Sequence, residues 1–439
     1  MHATETDTLI GNQPEIYDLG KRPERKSWWK RLKKRFKDET HVHYKGFARP
    51  EGRQETVQLT QSQIELAERA KWDVKSCEQD ASFIPTLAIC LWLGTQGVLA
   101  WILIDFVFFA TQARRILFLV FTVFAFIQPR DKRFFTWKSF AMQCSIYVII
   151  VVAVFLRAIT VFVLALSIAM PLRFPSVGLR LGEWIALQSQ KYFALKTTIE
   201  DPEQIAEISR SKRSLVFALE PHDVLAYGCF AFHPALKVLP EGRARDSMHC
   251  LVSSAMLNAP IVRNISAWCL CSPVEKTYFR SYLSEGSSVV FCPGGVQEVL
   301  LMDPNNEPEK LVVFLKERKG FVKLALENGS ALVPSFCFGL DGSYAYYLPS
   351  GNFINNLSRA VGFIPIFVLG RFYIPFGIPR PNKIHVVIGK AIECPKLGKN
   401  TTQRDIDEYH QLFLNELQKL FDRHKQYEEL YETRELKIS

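Results

Sequence analysis

The run Ser288-Val289-Val290-Phe291-Cys292-Pro293-Gly294-Gly295, with Glu298 three residues further on, decides how this chain is read. β-Branched and aromatic residues feed straight into Pro-Gly-Gly, the pattern of a strand emptying into a tight turn. Glycines at such a turn let the backbone approach a ligand and aim N–H groups at an anion. Downstream, Arg318-Lys319-Gly320-Phe321 opens a helical run, and Ala331-Leu332-Val333-Pro334-Ser335-Phe336 is a second apolar strand that ends at Phe338-Gly339. Upstream, Ser214–Leu219 is a short apolar strand that opens into Glu220-Pro221-His222-Asp223.

Outward from these loops, short strand patterns alternate with helical ones from about Phe174 onward. Strands are predicted at 214–219, 248–254, 288–292, 331–337 and 384–388, and helices at 276–285, 312–328 and 402–425. The alternation argues an α/β sheet with its site at the carboxyl ends of strands, where both loops fall. In the last helix Ile406, Tyr409, Phe413, Leu417 and Leu420 share one face, an ordinary packing stripe. The stretch Phe353–Pro379 is aromatic and broken by Pro and Gly; it suits a loop dipping into lipid, a groove lining or a core segment equally.

Together the motifs resemble the type-2 diacylglycerol acyltransferase family, which also holds monoacylglycerol and wax-alcohol acyltransferases. The likeness covers the last ~260 residues and rests on Glu220-Pro221-His222, Pro293-Gly294-Gly295-x-x-Glu298, Arg318-x-Gly320-Phe321, Leu332-Val333-Pro334, Phe338-Gly339 and Asn258-x-Pro260-x-x-Arg263. Plant and algal members of the family also put Glu before the Pro-His pair. Two positions depart from the pattern: Asp223 stands where animal members have Gly, and Leu340 where the family has Glu. The resemblance implies a glycerolipid-acyltransferase-like α/β fold, a mixed sheet flanked by helices, behind an N-terminal membrane-embedded helical hairpin region. Phospholipid-pathway acyltransferases carry His-x-x-x-x-Asp instead; five residues after His222 stands Tyr227, which argues against that relationship.

The site expected from residues and resemblance together is a base, an anion cradle and a cationic contact. His222 is the base, since imidazole titrates near working pH. Glu298 is a candidate to orient it, with helix capping as the plain alternative, and Asp223 and Glu220 compete for the orienting role. Gly294 and Gly295 are the oxyanion or phosphate contacts, and Arg318 and Lys319 the partners of the coenzyme A phosphates. The resemblance adds Asn258, Arg263 and Phe321 as substrate contacts. Cys292, at the end of an apolar strand, is a poor nucleophile, and direct attack by a lipid hydroxyl needs none.

Composition bounds the rest. Hydrophobic residues make up 48% of the 439, with 33 Phe, which points to lipid contact. The ten cysteines show no C-x-x-C pair, so they read as thiols of a reducing compartment, and no metal pattern is present. Ten Lys/Arg and one Glu between Lys21 and Lys37 give +9 of the chain's +10, with Trp28, Trp29, Leu32 and Phe36 at helical spacing, which suits an anionic membrane surface. A basic charge confined to a tail speaks against nucleic acid as a partner. Residues 83–110 hold one charge, Asp105, and 144–170 one, Arg157, while 116–128 is apolar but short. Cationic loops on either side of this block favour two hydrophobic hairpins over two full spans.

The expected organisation is therefore a polar, basic, largely disordered extension over 1–80, a transmembrane or hairpin region over 81–172 and a cytosolic acyltransferase domain over 173–439. The expected reaction is acylation of diacylglycerol by acyl-CoA, with no permanently bound cofactor, at the endoplasmic reticulum membrane or lipid droplets, and compatible with a homo-oligomer. The alternatives are monoacylglycerol or a long-chain alcohol as acceptor, or a non-catalytic membrane-shaping or lipid-transfer protein.

Overall fold

Strand β3 (Leu215–Glu220) is buried at every position and shows why the predicted sheet forms. Its odd residues, Leu215, Phe217 and Leu219, enter one hydrophobic core, and Val216 and Ala218 enter another on the opposite face. A strand with period-two side chains and both faces covered reads as a continuous apolar run. Strand β8 (Ala331–Phe338) divides the same way, Val333 and Cys337 to the first core, Leu332, Phe336 and Phe338 to the second. In this computed structural model the described residues are 72–105, 137–169, 172, 174–295, 298–299, 310–347 and 366–439. The basic run Lys21–Lys37, the segment 116–128 and most of the aromatic stretch before residue 366 lie outside them.

In chain order the strands are β1 (Asp73–Ser76), β2 (Lys196–Ile199), β3, β4 (Met248–Val252), β5 (Cys271–Pro273), β6 (Ser288–Phe291), β7 (Lys310–Val313), β8, β9 (Ala345–Tyr347), β10 (Phe367–Leu369), β11 (His385–Ile388) and β12 (Glu435–Ile438). Eight of them form one mixed sheet in the order β1-β2-β11-β8-β3-β6-β4-β5. The run β8-β3-β6-β4-β5 is parallel, and β11 joins β8 antiparallel. All five predicted strands are present within two residues of their expected ends.

Helices cover both faces. On the first core lie α1 (Phe83–Trp92) and α4 (Ser176–Tyr192); between them in sequence come α2 (Gly94–Ile104) and α3 (Trp137–Ala169). After α5 (Pro202–Arg210), α6 (Ser254–Asn258) and α7 (Val262–Trp268), the second core is closed by α8 (Lys276–Ser284), α9 (Gly320–Asn328) and α10 (Gln403–Lys425). A reciprocal Thr402–Asp405 capping box starts α10, and Ile406, Phe413, Leu417 and Leu420 of its predicted stripe are buried.

Three expectations are corrected. The helix expected over 312–328 begins only at Gly320; Leu311, Val312 and Val313 belong to β7, which pairs in parallel with the C-terminal strand β12, and β-branched residues fit that ladder better than a helix. The extension expected to reach residue 80 gives Asp73–Ser76 to the sheet edge as β1, a polar tetrapeptide with no periodicity to announce it. The apolar run from Phe83 is not one helix. It breaks at Leu93, and α1 and α2 meet at 54°. Gly94 and Gly97 explain the break: the Gly97 backbone lies so close to the Phe376 carbonyl that a Cβ would sit 1.8 Å from that oxygen.

One face of α1, with Ala88, Ile89 and Trp92, is buried in the first core, while Phe83 stays 78% exposed on the other. Among the described residues no single helix is long and apolar enough to cross a membrane, although the bent α1–α2 pair passes by length and composition. The lone charges of the two apolar segments meet: Arg157 Nη2 lies 3.2 Å from Asp105 Oδ1.

A buried ion cluster ties the far edge of the sheet to α10. Glu200, just past β2, accepts both Nε and Nη2 of Arg423 at 2.8 Å and lies 3.0 Å from His424 Nε2. Burial by itself raises this carboxyl, but the hydrogen bonds from His424 and Arg423 outweigh it and hold the group below its ordinary value of 4.5. Its stabilisation is thus present above that value and is lost as acid titrates the folded carboxylate. Arg423→Ala is expected to cost about 3 kcal/mol, because it strands a buried carboxylate. Thermal unfolding of the purified protein, compared at neutral and acid pH, checks this; the deficit should shrink as Glu200 is protonated.

Candidate active site

Adjacent parallel strands bring the two motif loops together. Ala218 of β3 stands opposite Phe291 of β6, so the two strands end side by side. The chain leaves β3 through Pro221-His222-Asp223 and leaves β6 through Cys292-Pro293-Gly294-Gly295. Open α/β sheets place ligands at such an edge.

Two buried glutamates lace these loops in opposite directions. Glu220, at the end of β3, accepts the Gly294 N–H through Oε1 at 2.9 Å. Glu298, beyond the glycine turn, accepts the His222 N–H through Oε2 at 2.7 Å and the Phe314 N–H through Oε1 at 2.9 Å. Glu220 and Glu298 are 0% and 1% exposed. The glutamates leave no room at Gly294, where a Cβ would sit 1.8 Å from Glu298 Oε1.

The His222 ring is oriented by its neighbour's main chain. Nδ1 lies 2.9 Å from the Asp223 carbonyl oxygen. A carbonyl only accepts, so Nδ1 carries the hydrogen and Nε2 keeps its lone pair. Asp223 adopts φ 49°, a left-handed conformation that Gly, Asn and Asp tolerate best. Asp is thus compatible with this turn, as Gly would be. Burial lowers the His222 pKa below 6.5, against smaller opposing effects of the Asp223 carbonyl and Glu298. The imidazole is therefore neutral at working pH, the form a general base needs.

His222, Cys292 and Gly295 are among the residues that line an apolar cavity of about 280 Å³. Trp92 and Leu93 at the α1 break line it too, with Ile185 of α4 and Cys229, Cys250 and Cys271 along its wall. Cys292 Sγ lies 3.8 Å from Cys229 Sγ. Nothing in the sequence linked α1 or these thiols to the site, because the link is made by packing across the first core. Among the described residues, no group of His, Cys, Asp or Glu is arranged to hold a metal ion.

The other expected site residues do not gather in one place. Arg318 lies within the electrostatic reach of the acid pair: burial lowers its pKa, while Glu317, Glu220 and Glu298 act to raise it. Its neighbour Lys319 points elsewhere, 2.7 Å from Asp407 on α10, in an exposed pair. Phe321 is core, packed edge-on against Phe291 and Phe413. Asn258 ends α6 at the surface. Arg263 Nη1 reaches the Ser167 carbonyl at 3.3 Å, holding the last turn of α3. Glu298, expected to orient the imidazole, holds the His222 main chain instead. Gly294, expected as an anion contact, spends its N–H on Glu220.

The site thus joins a neutral imidazole of set tautomer, at the carboxyl edge of a mixed sheet, to an apolar cavity. The family model described as diacylglycerol acyltransferase matches residues 149–439. The chain belongs to that family and is an acyltransferase. It is 33% identical over 240 residues to diacylglycerol O-acyltransferase 2 of Dictyostelium discoideum, covering 52% of this chain and 71% of that one. To the Xenopus tropicalis protein of the same name it is 30% identical over 239 residues, covering 52% and 65%. Among solved structures, the 1-acyl-sn-glycerophosphate acyltransferase of Thermotoga maritima matches 62% of this chain and 94% of that one at 12% identity, with a TM-score of 0.30 that carries no argument.

The two glycines are expected to respond differently to substitution. Gly294→Ala forces Glu298 off both its hydrogen bonds and is expected to lower kcat/KM about a hundredfold. Gly295→Ala meets no atom within 4 Å but must hold φ 59°, a strain of about 1–2 kcal/mol, and so costs less than Gly294→Ala. Steady-state acyl transfer by the two variants checks the order. On the pH axis, activity rises as His222 loses its proton, so the acid limb of kcat/KM is expected below pH 6.5.

Proposed function

We propose that this enzyme transfers a fatty acyl group from acyl-CoA to the free hydroxyl of diacylglycerol, forming triacylglycerol. The single observation that carries the reading is His222 Nε2, left as acceptor by the Nδ1–H bond to Asp223, with His222 lining an apolar cavity. Nε2 takes the hydroxyl proton as the lipid oxygen attacks the thioester carbonyl. The tetrahedral intermediate collapses, its C–S bond breaks, and the leaving thiolate receives the proton from Nε2. The cavity takes the acyl chain, and Trp92 and Leu93 in its lining set it against the α1–α2 break, close to the segments proposed to meet lipid. Arg318, which feels the charges of Glu220 and Glu298, is the candidate cation for coenzyme A phosphate.

The setting proposed is the endoplasmic reticulum membrane, with the bent α1–α2 pair as a hairpin and the catalytic domain on the cytosolic side; α3 is one continuous helix through Arg157, so the second expected hairpin, which would turn there, does not form. The Asp105–Arg157 pair supports it, since two opposite charges in apolar segments enter lipid more cheaply together than singly. Cationic loops flank the block on both sides, and the chain's free thiols suit a reducing compartment.

In membranes supplied with labelled acyl-CoA and a panel of acceptors, diacylglycerol is expected to be the best acceptor. His222→Ala is expected to lower product by about 10²–10⁴-fold at equal membrane-bound protein. Activity within a few fold of wild type would remove His222 as base. For the topology, Asn264, Asn328, Asn356 and Asn400 stand in N-x-S/T sequons, Asn356 outside the described residues, and all four are expected to stay unmodified. A glycosidase-sensitive shift at any of them would put the catalytic domain in the lumen.

A further inference from the structure

We propose that Glu220 and Glu298 hold one proton between them, and that Glu220, as the neutral member, is a positioning residue for His222. Gly294 touches both acids: its N–H bonds Glu220, and its Cα packs against the Glu298 carboxyl. Glu298 is the better placed to carry the charge, because each of its oxygens accepts a main-chain N–H. Two such donors stabilise a carboxylate and do nothing for an acid proton. Glu220 has one donor, and its Oε2 is buried with no hydrogen-bond partner. A charge on that atom would be uncompensated, whereas a proton on it removes the charge.

The surrounding charges agree. The titratable groups that act on Glu220 are Glu298 and Cys292 from the β6 side, and Arg318, from the segment after β7, feels both acids. With His222 neutral, one anion at Glu298 balances one cation at Arg318, and a second anion would leave the cluster negative. Burial, then Glu298, then Cys292, push the Glu220 carboxyl well above its ordinary range. The sign follows: the neutral form and the stabilisation it brings are retained at lower pH and lost as pH rises through the raised value. Ionised, Glu220 would repel Glu298, and the two loops would part at the bonds that place His222 beside Gly295.

Function enters only through the activity arm of the test, which rests on the proposed acyl transfer. Infrared difference spectra of the purified full-length protein, wild type minus Glu220→Gln, are expected to show the carbonyl stretch of a protonated carboxylic acid at neutral pH. Alkali should convert it to carboxylate bands, and Glu298→Gln should move that conversion to lower pH. Glu220→Gln, which still accepts the Gly294 N–H and cannot ionise, is expected within about threefold of wild-type kcat at neutral pH and without the alkaline loss that wild type shows. Glu220→Ala is expected about a hundredfold down. Carboxylate bands alone at neutral pH, or a Gln variant as impaired as Ala, would overturn the proposal. Should the Ala variant fail to accumulate, the Gln spectrum and pH profile decide. A missing acid band leaves the acyl-transfer reading standing, and an active His222→Ala leaves the band in place, so the two failures are separable.

Discussion

The reciprocal tie between the β3 and β6 loops is the constraint on which the site depends. Each loop alone is a few residues of irregular backbone at a sheet edge. Glu220 reaches from the first to Gly294 on the second, and Glu298 reaches back to the His222 main chain. Both ties are buried, where a hydrogen bond is stronger and a broken one costs more than in water. The arrangement places His222 by its backbone, leaving the ring to be set by a second bond to the Asp223 carbonyl. Backbone placement and tautomer are thus settled by different residues. Glu298 extends the brace to a third segment through Phe314, which follows β7, so the C-terminal strand β12 that pairs with β7 also bears on the site.

The same economy shows in the apolar helices. Helix α1 is amphipathic without being polar: one apolar face packs on α4 and the first core, and the other, with Phe83, Ile84 and Leu87, is exposed. A segment meant only for lipid would have no reason to bury Ile89 and Trp92 in a soluble-type core. Because α1 is part of that core, its break at Leu93 lies against the cavity that holds His222. The apolar region is therefore a wall of the catalytic domain as well as a candidate anchor for it. Arg263 and the Ile261 N–H, at 2.6 Å from Ser167 Oγ, tie the end of α3 to the same domain.

Several residues that a motif reading assigns to substrate serve the frame instead. Phe321 fills the second core between Phe291 and Phe413. Lys319 pins the start of α9 to α10 through Asp407. Motif residues near a site are kept company by residues that hold the site's strands and helices in register, and spacing alone does not separate the two groups.

By itself the sequence determined what local chemistry determines. Apolar strand runs, Pro-Gly-Gly punctuation and the apolar stripe from Ile406 to Leu420 are written in neighbouring residues, so the five core strands, the last helix and the two loop positions were legible. His222 was legible because an imidazole in a strand-end loop is chemically conspicuous and its motif is specific. Tertiary structure decided the rest. The polar strands β1 and β2 exist only because an edge was available to pair with, and 311–313 became strand because β12 lies beside it. Which atom of His222 Glu298 would touch, where Arg318 and Lys319 would turn, and whether α1 faced lipid or core are questions of contact between segments tens to hundreds of residues apart. Such contacts follow from shape and burial summed over the whole domain, and no short window of sequence contains that sum.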